Sequence, residues 1–349
     1  IKGSLNKNYK IDQIKYIENE NYIFLDNFEL TDKFKIKKIN TLNLNYENDN
    51  KKVNQLILKK NDEGYSLTSK KFDAQSFISN IIKGESNNNF LNRFEKLNAK
   101  LLLNFERLNI DKNSQLNNLK GEINIRENKV KSAEILAKLN KTKDFTLNIN
   151  TTSNKEKITN LFIEEPAPFI KNYKFIKGFE EGNLSYGSIE KNNNTKSNLK
   201  IYDFKVKEVP VLAKLLTLAS LQGIADLLTG EGIRFDEFEM DYNSNNSTTK
   251  INEMYAIGPA ISILMEGYIE KDKLTSLKGT LVPATTINKT ISKIPLLGDI
   301  LVGKKVGEGV FGVSFKIKGP SKDLKTSVNP LKTLTPRFIT RTLEKLKKN

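Results

Sequence analysis

Residues 311–319 read FGVSFKIKG, and this stretch shows the pattern that decides the fold of the chain. Its apolar side chains alternate with small or polar ones; they are Phe311, Val313, Phe315 and Ile317. A period of two is what a β-strand shows in a sheet with one covered face. The same alternation recurs in TLNLNY (residues 41–46) and FTLNIN (145–150), and polar turns separate such runs. The sequence therefore predicts a mainly β protein of antiparallel strands, with one apolar face and one face rich in Lys and Asn.

A glycine motif immediately before this strand could indicate a nucleotide site. Gly307, Gly309 and Gly312 have the G-x-G-x-x-G spacing of a phosphate-binding loop. Such a loop must follow a strand and open a helix, whereas here an alternating strand follows and no β-α-β rhythm surrounds it. The motif therefore predicts a loop, with Gly312 inside the strand.

The composition excludes many kinds of catalysis. The chain of 349 residues has no Cys and no His, which excludes Ser-His-Asp and Cys-His mechanisms and metal sites built on these residues. Adjacent acids occur at Glu164–Glu165, Glu180–Glu181 and Asp236–Glu237, but neighbours on a strand point to opposite faces of the sheet. We predict that the chain is not an enzyme and carries no cofactor or metal.

The net charge of +16 allows two interpretations. An excess of Lys can mark a polyanionic partner, such as nucleic acid or an anionic lipid surface. It can also mark the solvated faces of strands. The Lys residues are interleaved with apolar ones along the whole chain, which favours solvated faces and no nucleic-acid partner.

Helical patterns are few. We predict short helices over 72–84 and from Pro166, and helices near 209–230, 285–302 and 335–347 at the carboxy-terminal end. The segment 209–230 is almost as long as a membrane span, but it contains Lys214, Gln222 and Asp226. Charges at the centre of a span cost about 2.5–3.5 kcal/mol each. We therefore expect this helix to pack over an apolar sheet face or to plug it.

The last helix is amphipathic. Thr335 can cap it, Pro336 fits its first turn, and a basic stripe lies opposite its apolar residues. The stripe consists of Arg337, Arg341, Lys345 and Lys348. These are candidates for contact with an anionic membrane or a protein partner, although a helix docked on its own domain would show the same pattern.

Strands with one apolar face each expose a large apolar surface, which must be shielded from water. Either two sheets face each other as a sandwich, or one sheet curls into a trough whose lining stays available to a ligand with long hydrocarbon tails. The residues alone leave both possibilities open.

The carboxy-terminal half resembles a known family. Its ordered blocks cover residues 201–346; they are IYDFKVKEVPVLAKLLTLASLQGIADLLTGEGIRFDEFEMDY, YAIGPAISILMEGYIE, LKGTLVPATTIN, KIPLLGDILVG, GEGVFGVSFKIKGPSKDLKTSVNPL and LTPRFITRTLEKL. In combination they resemble the AsmA-like superfamily, in particular YhdP-type proteins with a DUF3971/AsmA-like C-terminal domain. A weaker resemblance to the same family is found upstream, in FDAQSFI and EEPAPFIKNYKFIKGFEEGNLSY. The chain differs mainly in having Lys, Asn and Ile where relatives tend to have Arg, Asp, Gly and Leu.

The resemblance implies a fold and a role. Residues 1–160 would form a β-rich groove segment and 161–349 an AsmA-like C-terminal domain, together an elongated, curled antiparallel sheet with an apolar groove. We expect the periplasmic part of a longer protein, anchored in the inner membrane of a Gram-negative bacterium. It would conduct phospholipids between inner and outer membranes, with an envelope protein as a further partner. A TamB-like scaffold for outer-membrane assembly, or a polyanion-binding module, are the alternatives.

The groove hypothesis also names lining residues. They are the alternating apolar side chains of the predicted strands in the C-terminal domain: Ile261, Ile263, Leu277, Leu281, Phe311, Val313, Phe315 and Ile317. The same residues would serve as ordinary core if a helix or a second sheet covered them.

Overall fold

The computed structural model describes residues 2–5, 9–48, 52–75, 90–170, 178–219, 221–283, 312–320 and 323–331. The protein is mainly β with few helices, which confirms the predicted class. The strands are β1 Lys2–Leu5, β2 Tyr9–Glu18, β3 Asn21–Leu30, β4 Ile36–Lys38, β5 Thr41–Glu47, β6 Val53–Lys60, β7 Gly64–Ser69, β8 Phe72–Asp73, β9 Ala99–Asn109, β10 Gln115–Arg126, β11 Lys129–Leu139, β12 Lys143–Thr151, β13 Lys157–Ile163, β14 Gly178–Lys191, β15 Asn194–Lys207, β16 Ile233–Ser244, β17 Thr248–Ile257, β18 Ile261–Glu270, β19 Leu274–Pro283, β20 Gly312–Gly319 and β21 Lys325–Leu331.

Three α-helices lie within the described residues; they are α1 Ala167–Ile170, α2 Pro210–Leu218 and α3 Gln222–Thr229, and a 3-10 helix spans Phe90–Arg93. The segment 209–230 thus forms two helices where one was predicted. The backbone leaves helical geometry at Leu221 (φ −101°, ψ 47°), and each short helix buries its own stripe. Phe72 and Asp73 form a strand where a helix was predicted to begin. The predicted helices over 285–302 and 335–347 lie outside the described residues.

The chain divides into two compact units, Ile1–Asn172 and Tyr173–Asn349. The boundary predicted at residue 160 falls inside β13. In the first unit the strands pair in the order β1-β2-β3-β5-β6-β7-β9-β10-β11-β12-β13. Strand β4 pairs with the end of β3 beyond β5, and β8 pairs with the end of β9 beyond β7.

The prediction of a wholly antiparallel sheet is wrong in the first unit. Strand β7 pairs with β9 in parallel, with Tyr65 opposite Leu101 and Ser69 opposite Phe105. Parallel neighbours need a crossover of a dozen or more residues, and the connection over 70–98 provides one. Short alternating runs identify strands but do not say which strands become neighbours.

The core of the first unit lies at the end of the sheet where β9 and β11 finish. Phe105, Ile110, Leu116, Leu119 and Leu139 form a buried cluster there. From α1, Phe169 packs against this cluster and stacks on Phe145 with ring centroids 5.8 Å apart. One end of the apolar face is therefore closed by local elements.

The second unit is an antiparallel meander from β14 to β21, with α2 and α3 inserted between β15 and β16. Pro210 occupies the first turn of α2, where its missing N–H costs nothing. Helix α2 buries Leu212, Leu215 and Leu216, and α3 lies against β15 and β16. Beneath them Phe204 stacks between Phe179 and Phe235, with centroid distances of 5.3 and 5.5 Å.

Asparagine-rich turns fix several hairpins. Asn192 and Asn193 join β14 to β15, and both have positive φ (50° and 63°). Glu127 and Asn128 join β10 to β11 in the same way (φ 51° and 61°). Two-residue hairpins favour this conformation because its twist matches that of the strands, and Asn tolerates it better than most residues.

Gly279 in β19 provides a test of sheet packing. A Cβ at this position would overlap the Leu264 carbonyl oxygen and the ring of Phe315. We expect Gly279→Ala to lower the free energy of unfolding by about 1–3 kcal/mol, because the added methyl group would overpack the sheet at this position. Gly223 in α3 is the control, since a Cβ there meets no atom within 4 Å. Gly223→Ala should stabilise by up to about 1 kcal/mol through helix propensity. Urea unfolding of both variants measures this, and equal effects would contradict the packing argument.

Candidate functional site

A row of apolar side chains crosses ten strands of the first unit on one face. Residues opposite each other in a sheet register project from the same face. The members of this leucine row, from β2 to β13, are Ile14, Leu25, Leu42, Leu58, Leu67, Leu103, Gly121, Ile135, Leu147 and Leu161. Nine intervals of about 4.8 Å between strands give the row a length of about 43 Å.

All ten positions of the leucine row are half-buried. Leu67, Leu103 and Ile135 pack against the buried cluster of the first unit, but none of the ten is fully buried or fully exposed. Towards the first edge of the sheet the same face opens further, where Tyr16 is 51% and Ile23 43% exposed. The row therefore offers a continuous hydrocarbon surface that remains partly accessible along its length.

A second row crosses all eight strands of the second unit. From β14 to β21 it consists of Tyr186, Leu199, Met240, Met254, Met265, Gly279, Phe315 and Val328. We call it the methionine row. Its members are half-buried, except that Phe315 is buried. Each unit thus has a continuous apolar row of intermediate exposure.

The predicted lining residues lie on the same face of β18, β19 and β20 as the methionine row. The register places Leu281 between Ile263 and Val313, and Leu277 opposite Ile317. Six of the eight are buried, from 0 to 9% exposed; they are Ile261, Ile263, Leu281, Val313, Phe315 and Ile317. Leu277 is half-buried, and Phe311 lies outside the described residues.

The predicted residues therefore lie on the same face as the methionine row, most of them at buried positions. It missed Met240, Met254 and Met265, although they occupy apolar positions of alternating runs. The signal was present in the sequence, since these are the three methionines of the chain. Arg337, Arg341, Lys345 and Lys348 lie outside the described residues.

The opposite face of the second unit has a polar network centred on Glu239. Its carboxylate accepts hydrogen bonds from Asn198 Nδ2 (2.9 Å) and from the Tyr255 hydroxyl, and it pairs with Lys200 Nζ at 3.1 Å. Asn198 Nδ2 also donates to Asp241 at 2.8 Å. Burial alone would raise the pKa of Glu239, but the hydrogen bonds from Tyr255, Asn198 and Lys200 outweigh it and lower the pKa to about 2. The network links β15, β16 and β17 and keeps this face polar.

Three of the six adjacent acids that could suggest acid-base chemistry form ion pairs on the surface. Glu164 pairs with Lys143 at 3.0 Å, Glu180 with Lys207 at 2.8 Å, and Glu181 with Arg234 at 2.8 Å. The Lys207 ammonium lowers the pKa of Glu180. Burial raises the pKa of Asp236, and the neighbouring Asp203 carboxylate adds to the effect. Among the described residues, no three acidic groups are placed to hold a metal ion.

A polar depression of about 440 Å³ lies near the end of β9 and the start of β10. It is lined by Lys70, Glu106, Arg107, Asn117, Asn118 and Lys141. Three basic groups against one acid give it a positive charge. If the chain were a polyanion-binding module, this positively charged surface would be a candidate for the binding site.

Comparison with known proteins adds no relative, since no family model, no curated protein and no solved structure matches the chain. Across the described part of the chain, no helix combines the length and apolar content needed to span a membrane. The geometry of the rows is therefore the basis for assigning a function.

The Glu239 network makes stability depend on pH. A carboxyl whose pKa falls from 4.5 in the unfolded chain to about 2 stabilises the fold above pH 4.5, and this contribution is lost as the pH falls towards 2. We expect the free energy of unfolding to decline across this window, and Glu239→Gln to flatten that decline. Urea unfolding at several pH values between 7 and 2 measures both slopes.

The control is Glu266→Gln, which removes an exposed carboxylate paired with Lys278. Exposed pairs contribute at most about 1 kcal/mol, so this variant should keep the wild-type slope. A Glu239→Gln protein with the wild-type slope would show that the network does not hold the carboxylate in its ionised form.

Proposed function

We propose that the chain binds phospholipid acyl chains along its two half-buried rows and conducts phospholipids between membranes. We further propose that it acts in the periplasm as part of an AsmA/YhdP-like protein anchored in the inner membrane. The observation that carries the proposal is the continuity of the leucine row, ten half-buried positions on ten paired strands. An ordinary core would bury such residues, and an ordinary surface would not keep them apolar across every strand.

The energetics of the leucine row suit movement as well as binding. Covering exposed hydrocarbon contributes about 0.8 kcal/mol per methylene. The row has Leu or Ile at nine positions and Gly at one, so an acyl chain meets similar side chains at nine of the ten strands. Similar surface means similar binding energy, and a lipid can shift by one strand without leaving a deep minimum. Headgroups would stay in water beside the row.

Contacts of the helices support a curled sheet in the second unit. Helix α2 lies against β21 and against α3, while α3 lies against β15 and β16. In a flat sheet β15 and β21 are six intervals apart, or about 29 Å. Helix α2 has nine residues and is about 13 Å long. A trough shape brings these strands within reach of one helical hairpin and partly encloses the methionine row.

Two alternatives make different predictions. A scaffold of the TamB kind would contact proteins along strands at the sheet edge. A polyanion-binding module would use basic surfaces such as the depression lined by Lys70, Arg107 and Lys141. Its binding to nucleic acid would fall steeply with salt, since it depends on counterion release, whereas acyl-chain binding would not.

Photo-crosslinking distinguishes lipid from protein contacts. A photoreactive residue at Leu147 in the leucine row should yield phospholipid adducts in cells. The same residue at the adjacent Asn148, which is exposed on the opposite face, should not. Protein adducts at both positions and no lipid at either would contradict the proposal and favour the scaffold.

An interruption of the leucine row should block transfer. Leu102 and Leu103 are neighbours in β9, but Leu103 lies in the row and Leu102 is 37% exposed on the other face. We expect Leu103→Asp to slow phospholipid transfer between vesicles about tenfold or more, because a carboxylate in hydrocarbon costs about 2.5–3.5 kcal/mol. Leu102→Asp is the matched control and should transfer at the wild-type rate.

Leu103 also packs against the core cluster, so urea unfolding must show that its variant is folded. Leu42→Asp interrupts the same row away from that cluster and should give the same loss. Wild-type transfer by both folded row variants would overturn conduction along the row.

A further inference from the structure

The three methionines of the chain meet in one place. Met240 in β16 is opposite Met254 in β17, and Met254 is opposite Met265 in β18. Their positions in the sequence are separated by turns and by polar residues, and the sheet register aligns them. All three are half-buried and on the apolar face. Across three strands the thioethers form a patch about 10 Å long.

Buried side chains, two of them branched, flank this patch along the strands. On one side the next row contains Ala256 and Ile263, and on the other it contains Ile251, and these three are 5 to 9% exposed. Branching at Cβ leaves the isoleucines with few rotamers. The methionine side chains, which have many rotamers, therefore lie between isoleucines that have few.

Other residues continue the methionine row at both ends of the patch. Beyond Met265 the row reaches Gly279, where a side chain would overlap the ring of Phe315. The ring therefore lies over the backbone of β19 and continues the apolar surface. On the other side Leu199 and Tyr186 continue the row. The flexible methionine side chains therefore lie together at the centre of the methionine row.

Methionine differs from leucine more in the flexibility of its side chain than in its polarity. It is unbranched, has three rotatable side-chain bonds and a polarisable sulfur, and adapts to ligands of different shape. The leucine row of the first unit contains no methionine. We infer that the methionine patch determines which acyl chains the second unit accepts, allowing it to take bent cis-unsaturated chains as well as straight ones. This inference rests on the proposed lipid function and specifies its substrate class.

The test compares two phospholipids of identical composition. Dioleoyl and dielaidoyl phosphatidylcholine have chains of equal length and differ in a cis or trans double bond, so one chain is bent and the other straight. The full chain is incubated with vesicles containing equal amounts of both, repurified, and its bound fatty acids are separated by gas chromatography. The variant is Met240→Leu/Met254→Leu/Met265→Leu, which keeps the surface apolar and nearly conserves volume.

We expect the wild-type protein to carry both lipids within about twofold of each other. The triple variant should keep the trans lipid and lose the cis lipid by about fivefold, a loss of about 1 kcal/mol. Adding Leu199→Met to the triple variant returns one methionine to the row and should recover part of the cis binding. Urea unfolding checks that each variant is folded, and Met254→Leu alone provides a milder change at the centre of the patch.

The outcomes separate the two proposals. If the wild type and the triple variant carry the lipids in the same ratio, the methionine inference is wrong and lipid binding stands. If the wild type carries neither lipid, the lipid function and this inference both fail. Binding of the cis lipid that is present in the wild type, lost in the triple variant and partly recovered with Leu199→Met would support both.

Discussion

Strand register is the constraint on which the rest of this protein depends. Side chains alternate between the two faces of a sheet, so a slip of one residue in any pair would move that strand's apolar side chains to the polar face. A row such as the one from Ile14 to Leu161 exists because nine consecutive pairings align these positions, including the pairing of β10 with β11, whose register shifts on either side of Gly121. Hairpins such as the one at Glu127–Asn128, which joins β10 to β11, fix that register locally through their positive φ angles. The abundance of Asn therefore has a structural use in addition to its contribution to solvation.

In the second unit the polar and the apolar face of the sheet are held by different kinds of contact. The polar face is held by ion pairs and by the Glu239 network, which connects three strands through Asn198 and Tyr255. Those contacts and the backbone hydrogen bonds join the strands in addition to the packing on the apolar face. This division of roles is consistent with a face on which the methionine row stays half-buried.

The sequence predicted strands well and exposure poorly, and the reason is physical. Alternation in FGVSFKIKG depends only on local geometry, so it identified β20 and the apolar face to which Val313 and Phe315 belong. Whether a given apolar row is buried depends on what lies over it, and a single strand does not encode that. Ile261 and Leu281 are buried while Met265, on the same face, is half-buried. The parallel pairing of β7 with β9 was missed for the same reason, since pairing is a property of two distant segments.

That parallel pairing also sets the order in which the molecule can assemble. Most strand pairs here are hairpins or near neighbours in sequence, so they can close soon after both strands leave the ribosome. Tyr65 and Leu101 must instead meet across an intervening crossover, and closing a longer loop costs more chain entropy before any contact stabilises it. Until β9 arrives, the open edge of β7 is a strand without its partner. Among the described strands of the first unit, the parallel pairings of β7 and β8 with β9 are therefore the slow, non-local step in an otherwise local folding sequence.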